Sequence, residues 1–160
     1  MSEVAEVLER YRRGPELIAA AMTGAAGAEL DYVPAPGKWS VRQILCHMAD
    51  ADIVAAARFR RIIAEEKPTL AAYDQDAWAQ NLDYTHRKTV PAMETFRQIR
   101  AWTYELLSSL PENAFERKAM HAEKGEMTLA DLLGVYARHA EKHAEQMRNV
   151  RSAYKESKGR

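Results

Sequence analysis

The segment GKWSVRQILCHMAD, residues 37–50, marks the beginning of a long amphipathic helix. Ser40 and Gln43 have the spacing of a capping box, in which each side chain accepts a hydrogen bond from the backbone N–H of the other residue. Apolar residues then recur at helical spacing until Pro68 prevents the helix from continuing. We therefore predict a helix over residues 40–65.

Three further stretches of the chain have the same helical periodicity. The first covers residues 3–22 and contains Gly14-Pro15, which should kink or split it. The other two cover residues 89–110 and 128–155, and the last of them opens with a near match to the capping box at Thr128. The pattern is typical of an all-α protein, and a four-helix bundle is the simplest arrangement for it.

The connections between these helices are long, at residues 23–39, 66–88 and 110–127. Simple antiparallel bundles use loops of roughly 2–8 residues, so these connections permit crossovers between parallel neighbours or carry functional loops. A short helix is predicted inside the middle connection, over residues 74–81. No stretch alternates strictly between apolar and polar residues, so no strand is predicted.

Length, charge and cysteine content exclude several classes of protein. A chain of 160 residues is expected to form a single domain over residues 1–160. Lys plus Arg total 23 and Asp plus Glu total 23, so the chain lacks the basic surplus of a nucleic-acid binder. Cys46 is the single cysteine, which excludes an internal disulfide framework and a site built from several thiolates.

No segment of the sequence approaches the roughly 20 continuous apolar residues that a membrane helix requires. The N-terminal residues 1–13 are charged throughout and lack the apolar core of a signal peptide. We therefore expect a cytoplasmic protein that does not interact with membranes.

Three of the five histidines lie on predicted helices at positions that suit a shared site. His139 and His143 are four residues apart, which places them on one helix face about 6 Å apart at Cβ. His143 falls inside the apolar stripe of its helix and His139 on the flank of that stripe, while His47 lies at the edge of the stripe on another helix. This pattern fits a three-histidine metal site and, about equally well, three core histidines with ordinary hydrogen-bond partners.

Other candidate groups are less well supported. The run from His139 to His143 differs from the H-E-x-x-H motif of metalloproteases because its glutamate is one position too late. Cys46 diverges from His47 by about 100° around the helix, so it is predicted to be neither a metal ligand nor a nucleophile. His86 and His121 lie in connections and are expected to be solvated. Trp39 lies just before Ser40, where it could staple the start of the helix, which we favour, or line a pocket.

Two motifs resemble one known family. The segment at residues 37–50 is similar to the G-K-W-S…I-L-x-H-L-x-D pattern of the DinB-like family, which includes the YfiT-like proteins. The segments GEMTLADLL, residues 125–133, and ARHAEKHAEQM, residues 137–147, match the second half of that pattern. The resemblance covers about residues 5–150. It departs from many family members at Lys142, where they carry a second histidine.

The resemblance implies a four-helix bundle with an up-down-down-up order of helices. It also implies a divalent metal ion, zinc or nickel, held by His47, His139 and His143, and a homodimer. Three neutral imidazoles leave a coordination position open on such a metal. No catalytic residue is assigned.

Three hypotheses for the function follow. The first is a metal-dependent transferase of the thiol S-transferase type, or a hydrolase, acting on a small-molecule substrate and, for the transferase, on a low-molecular-weight thiol. The second is a non-catalytic metal-binding bundle with a role in dimerisation or stress response. The third is a purely structural bundle whose histidines have ordinary hydrogen-bond partners.

Overall fold

Two capping boxes set the starting points of the longest helices. In the computed structural model, which describes residues 1–159, the Ser40 hydroxyl accepts the Gln43 backbone N–H at 3.2 Å, and the Gln43 side chain accepts the Ser40 backbone N–H at 2.9 Å. Thr128 and Asp131 form the same pair of bonds at 3.0 and 2.9 Å. Each box satisfies N–H groups that the first helical turn leaves without a partner.

The predicted helices are confirmed to within a few residues at their ends. In chain order, the α-helices and strands of the described residues are α1 Glu3–Arg12, α2 Gly14–Met22, α3 Ala28–Asp31, α4 Val41–Ala64, β1 Thr69–Leu70, α5 Gln75–Asn81, α6 Thr89–Ser108, β2 Lys118–His121, β3 Gly125–Thr128 and α7 Leu129–Lys158. Two short 3-10 helices lie at Tyr84–His86 and Glu112–Glu116. None of these helices is long and apolar enough to cross a membrane.

Gly14 and Pro15 split the first predicted helix into α1 and α2, as expected. Pro15 is tolerated because it lies in the first turn of α2, where its missing N–H would have no helical partner. Gly14 is required by close packing. A Cβ at this position would collide with the Arg100 guanidinium and lie 3.0 Å from the Ala140 Cβ.

The direction of each long helix follows from its contacts with the two main core clusters. One cluster holds Tyr11 from α1, the second half of α4, Leu107 near the end of α6 and the first turns of α7. The other holds Ile18 from α2, the first half of α4, Phe96 from α6 and the later turns of α7. The α1–α2 unit and α7 therefore run one way, and α4 and α6 run the other way. This is the up-down-down-up order that the resemblance implies.

The sequence prediction that no strand is present is wrong. β1, β2 and β3 form a small sheet in that order, with β1 parallel to β2 and β2 antiparallel to β3. The strands have two or four residues, which is too short for an alternating pattern to stand out from a loop. The sheet joins two of the long connections at the end of the bundle where α4 ends and α7 begins.

Candidate metal centre

The three predicted histidines converge in the bundle interior. α4 carries His47, and α7 carries His139 and His143 one turn apart. One ring nitrogen from each imidazole can be chosen so that all three lie within 4.8 Å of one another. The shortest separation joins the Nε2 atoms of His47 and His139, at 3.0 Å. The metal itself remains a prediction, but the convergence of its predicted ligands is observed.

Burial keeps the three imidazoles neutral. It lowers the pKa of His47 to about 3, with the nearby His143 and Lys142 acting in the same direction. It lowers the pKa of His139 to about 2, and it also lowers the pKa of His143. Since a protonated imidazole cannot donate a lone pair, a site that resists protonation is suited to hold a cation.

The hydrogen bonds of the rings set which nitrogens are free. His143 Nδ1 lies 2.7 Å from the Gln146 side-chain oxygen, so Nδ1 carries the ring proton and Nε2 keeps its lone pair. His139 Nδ1 is buried without a hydrogen-bond partner, and it is the one such side-chain atom among the described residues. Buried polar atoms nearly always have partners. The three rings therefore do not satisfy one another completely, even with the short contact between His47 and His139.

Two aromatic rings border the cluster. The Trp39 indole lies against the His47 imidazole, with 5.0 Å between ring centroids, so Trp39 borders the site as the second of its two predicted roles allows. The Tyr136 ring meets His139 edge-on at 5.9 Å. These contacts limit the rotation of both imidazoles and exclude water from their faces.

Arg58 and Tyr136 extend the site toward the sheet, and the sequence analysis assigned neither a role. The Arg58 guanidinium donates a hydrogen bond of 3.0 Å to the Tyr136 hydroxyl. Arg58 follows His47 by eleven residues, or three helical turns, which places both on one face of α4. That spacing could have identified Arg58 as a residue on the same side as His47. The bond from Arg58 to Tyr136 on α7 could not be predicted in this way, because it depends on how the two helices pack.

The structure places the other candidate residues, Cys46, His86 and His121, in three different environments. Cys46 faces away from the histidines, into a small cluster with Ala79 and Tyr84. Burial raises the pKa of its thiol to about 11, which leaves it unreactive. His86 is solvated, as expected. His121 is not, because it is 5% exposed and its ring is held inside the sheet end of the bundle.

Comparison with known proteins places this architecture in a family. The model of the DinB superfamily matches residues 10–147. The chain belongs to the DinB superfamily. Among relatives of this DinB chain is "Putative metal-dependent hydrolase OB0782" of Oceanobacillus iheyensis, 30% identical over 129 residues, which are 81% of this chain and 74% of that protein. YfiT of Bacillus subtilis, which bears the same description, is 29% identical over 72% of this chain and 66% of its own length.

Solved structures share the DinB fold of this chain. The structure of YfiT, described as a probable metal-dependent hydrolase with an unusual four-helix bundle topology, superposes with a TM-score of 0.87 at 24% identity, over 94% of this chain and 87% of YfiT. A mycothiol-dependent maleylpyruvate isomerase superposes with a TM-score of 0.73 at 14% identity, over 90% of this chain and 60% of the isomerase. At these identities the likeness establishes the fold.

Proposed function

We propose that this protein is a divalent-metal-dependent enzyme that acts on a small molecule, with His47, His139 and His143 as the metal ligands. The observation that carries the proposal is the convergence of three neutral imidazoles, two buried and one half-buried, whose ring nitrogens lie within 4.8 Å of one another. Two of them come from one helix face and the third from a neighbouring helix, an arrangement that holds the ligand set rigid.

The donor set fits zinc or nickel. Both metals accept imidazole nitrogen readily, and catalytic zinc sites commonly use three protein ligands with one position left open. The second point in favour is that the Nε2 atoms of His47 and His139 face each other at 3.0 Å, while Nε2 of His143 keeps its lone pair, so these nitrogens are available as ligands. When bound, the cation would supply Lewis acidity that activates a nucleophile at neutral pH.

The residues around the triad have separable tasks. Gln146 orients the His143 ring by accepting its Nδ1–H, which fixes the tautomer that leaves Nε2 free. Trp39 and Tyr136 pack against His47 and His139 and hold these rings in place. No residue near the triad is assigned as a general base, so the chain contributes ligands, their orientation and a dry environment.

The reaction class is either hydrolysis or transfer to a low-molecular-weight thiol. The relatives' descriptions as metal-dependent hydrolases support the first, and the fold shared with a mycothiol-dependent isomerase supports the second. The two classes differ in one requirement. A hydrolase needs no added thiol, whereas an S-transferase is inactive without one.

Metal analysis of the purified protein tests the ligand assignment. We expect about one zinc or nickel ion per chain in the natural protein and far less in His143→Ala, because two imidazoles hold the ion poorly. His86→Ala is the matched control, since His86 is solvated and should leave the stoichiometry unchanged. An unchanged metal content in His143→Ala would overturn the assignment.

A reactivity screen then tests the enzyme proposal. The metal-loaded protein is incubated with small ester and electrophilic substrates, with and without a low-molecular-weight thiol, and turnover is followed by mass spectrometry. Turnover that is lost in His47→Ala supports the proposal, and its dependence on thiol separates the two reaction classes. Full metal loading without turnover on any substrate would favour the non-catalytic metal-binding bundle.

A further inference from the structure

A polar cleft of about 690 Å³ lies on the sheet side of the histidine triad. Its volume is in the range of pockets that hold small ligands. Arg58, Tyr73, His121 and Lys124 supply its hydrogen-bond donors. Side-chain contacts link the cleft to the triad, because Arg58 donates to the hydroxyl of Tyr136 and the Tyr136 ring packs against His139.

The Arg58 guanidinium is held in place without being neutralised. It donates to the Tyr136 hydroxyl at 3.0 Å and to the Ala71 carbonyl at 2.6 Å, and it forms no ion pair with a carboxylate of the described residues. Arg61, one turn further along α4, differs in this respect. It also donates to a backbone carbonyl, that of Thr69, but it is paired with Glu65 at 3.2 Å.

His121 presents a fixed donor to the same cleft. Its Nδ1 accepts the backbone N–H groups of Glu123 and Lys124, at 3.1 and 3.2 Å. A nitrogen that accepts two hydrogen bonds carries no proton, so the ring proton of the neutral imidazole is on Nε2. Burial and the nearby Arg58 lower the pKa of His121, which keeps this tautomer neutral.

The charges in the cleft favour an anionic group that carries a single negative charge. Arg58 and Lys124 are opposed by Asp74 and Glu123, which line the same space. Asp74 is partly engaged as the cap of α5, where its carboxylate accepts the N–H groups of Asp76 and Ala77. One guanidinium fork beside one imidazole N–H matches a carboxylate, while a phosphate dianion would meet the two acidic side chains at greater cost.

We propose that the cleft binds a carboxylate group of the substrate through the Arg58 guanidinium and the His121 Nε2–H, with the reacting part of the substrate directed at the histidine triad. The proposal rests on the enzyme function proposed above, and it narrows the substrate to a carboxylic acid long enough to reach from Arg58 to His139. Arg58 thereby determines specificity.

Titration with succinate, followed by NMR of the histidine ring nitrogens, tests this inference. We expect saturable shifts at His121 Nε2 with succinate and none with succinamide, which has the same shape and no charge. Arg58→Gln should raise the Kd for succinate about tenfold or more, because a charge-assisted hydrogen bond is lost. Arg61→Gln is the matched control and should leave that Kd unchanged. The thermal midpoint of each variant shows whether it is folded.

Four outcomes would overturn the inference. Equal binding of succinamide, or an unchanged Kd in Arg58→Gln, would show that no carboxylate is recognised. Tighter binding of inorganic phosphate in competition with succinate would show a phosphate site instead. Loss of succinate binding in His143→Ala would place the carboxylate on the triad. Because His121 and Arg58 are intact in His143→Ala, we expect the succinate Kd of this variant to be unchanged whether or not it holds metal. Failure of the carboxylate proposal can therefore be told apart from failure of the metal assignment.

Discussion

Arg100 and Asp52 form an ion pair in the bundle core, with each side chain only 1% exposed. The two bonds measure 2.8 and 3.1 Å, and the guanidinium also donates to the carbonyls of Tyr11 and Tyr136. Its flat faces lie near the rings of Tyr11 and Phe96, at 4.2 and 5.0 Å. One side chain of α6 thus connects α1, α4 and α7 directly behind the histidine triad.

Breaking this pair should destabilise the protein strongly. Asp52→Asn leaves the buried Arg100 charge without its counter-ion, and we expect the free energy of unfolding in urea to fall by about 3–5 kcal/mol. Glu65→Gln, which breaks the exposed pair with Arg61, is the control and should have a much smaller effect. A similar loss in the free energy of unfolding for Asp52→Asn and Glu65→Gln would show that the buried pair stabilises the fold no more than the exposed pair does. The double variant Arg100→Met, Asp52→Leu should recover part of the stability, since no charge is left unpaired.

Gln146 should control metal affinity without touching the metal. Gln146→Leu removes the acceptor that orients His143, and we expect a loss of about 10–100-fold in zinc affinity, measured by competition with a chelator. Gln146→Glu keeps an acceptor at the same position and should retain most of the affinity. Equal affinities in the natural protein and Gln146→Leu would mean that His143 needs no such partner.

The metal-free protein should lose stability as the pH falls below about 6.5. Burial lowers the pKa of His47 to about 3 and that of His139 to about 2, so in this interval the unfolded chain binds protons that the folded chain does not. Thermal midpoints measured from pH 7 to pH 4 should therefore decrease. The thermal midpoint of His139→Gln should decrease less steeply with pH than that of the natural protein.

Gln80→Ala is the control for this pH series, because Gln80 is exposed and its side chain does not titrate, so the slope should stay as it is. A slope that is the same in His139→Gln as in the natural protein would contradict the assignment of the pH dependence to the buried imidazoles.

Cys46 should be dispensable for activity. Its thiol is buried with a pKa raised to about 11, and its sulfur lies 3.9 Å from the Tyr84 carbonyl, on the side of α4 away from His139. We expect Cys46→Ala to keep most of any turnover found in the screen, and His47→Ala to abolish it. An inactive Cys46→Ala with normal metal content would disprove the metal-centred mechanism.

The protein should form a homodimer, as the family resemblance implies. Light scattering at micromolar concentration is expected to give about twice the chain mass of 18.1 kDa. A mass near that of one chain would contradict this prediction.

Local sequence patterns were sufficient for the helices and for two of the three histidines of the triad. The capping pairs at Ser40 and Thr128 involve residues three apart, and His139 and His143 are one turn apart, so the geometry of a single helix determines both. The position of His47 at the edge of its helix stripe made it the third candidate, and the family resemblance then implied the ligand set and the order of the helices. Each of these inferences depends on spacing within one element or on motifs that can be read along the chain.

The surroundings of the triad depend on packing between distant segments. The contact of Trp39 with His47, the bond from Arg58 to Tyr136 and the burial of His121 each require two elements to meet, and no periodicity encodes where they meet. The strands were missed for the same reason, since the pairing of Thr69 with Met120 joins short segments that have no strand pattern of their own. The sequence alone therefore determined which residues could bind a metal, because helix geometry is local. Only the tertiary structure decided what lies beside them, because burial and charge at the cleft arise from side chains brought together across the bundle.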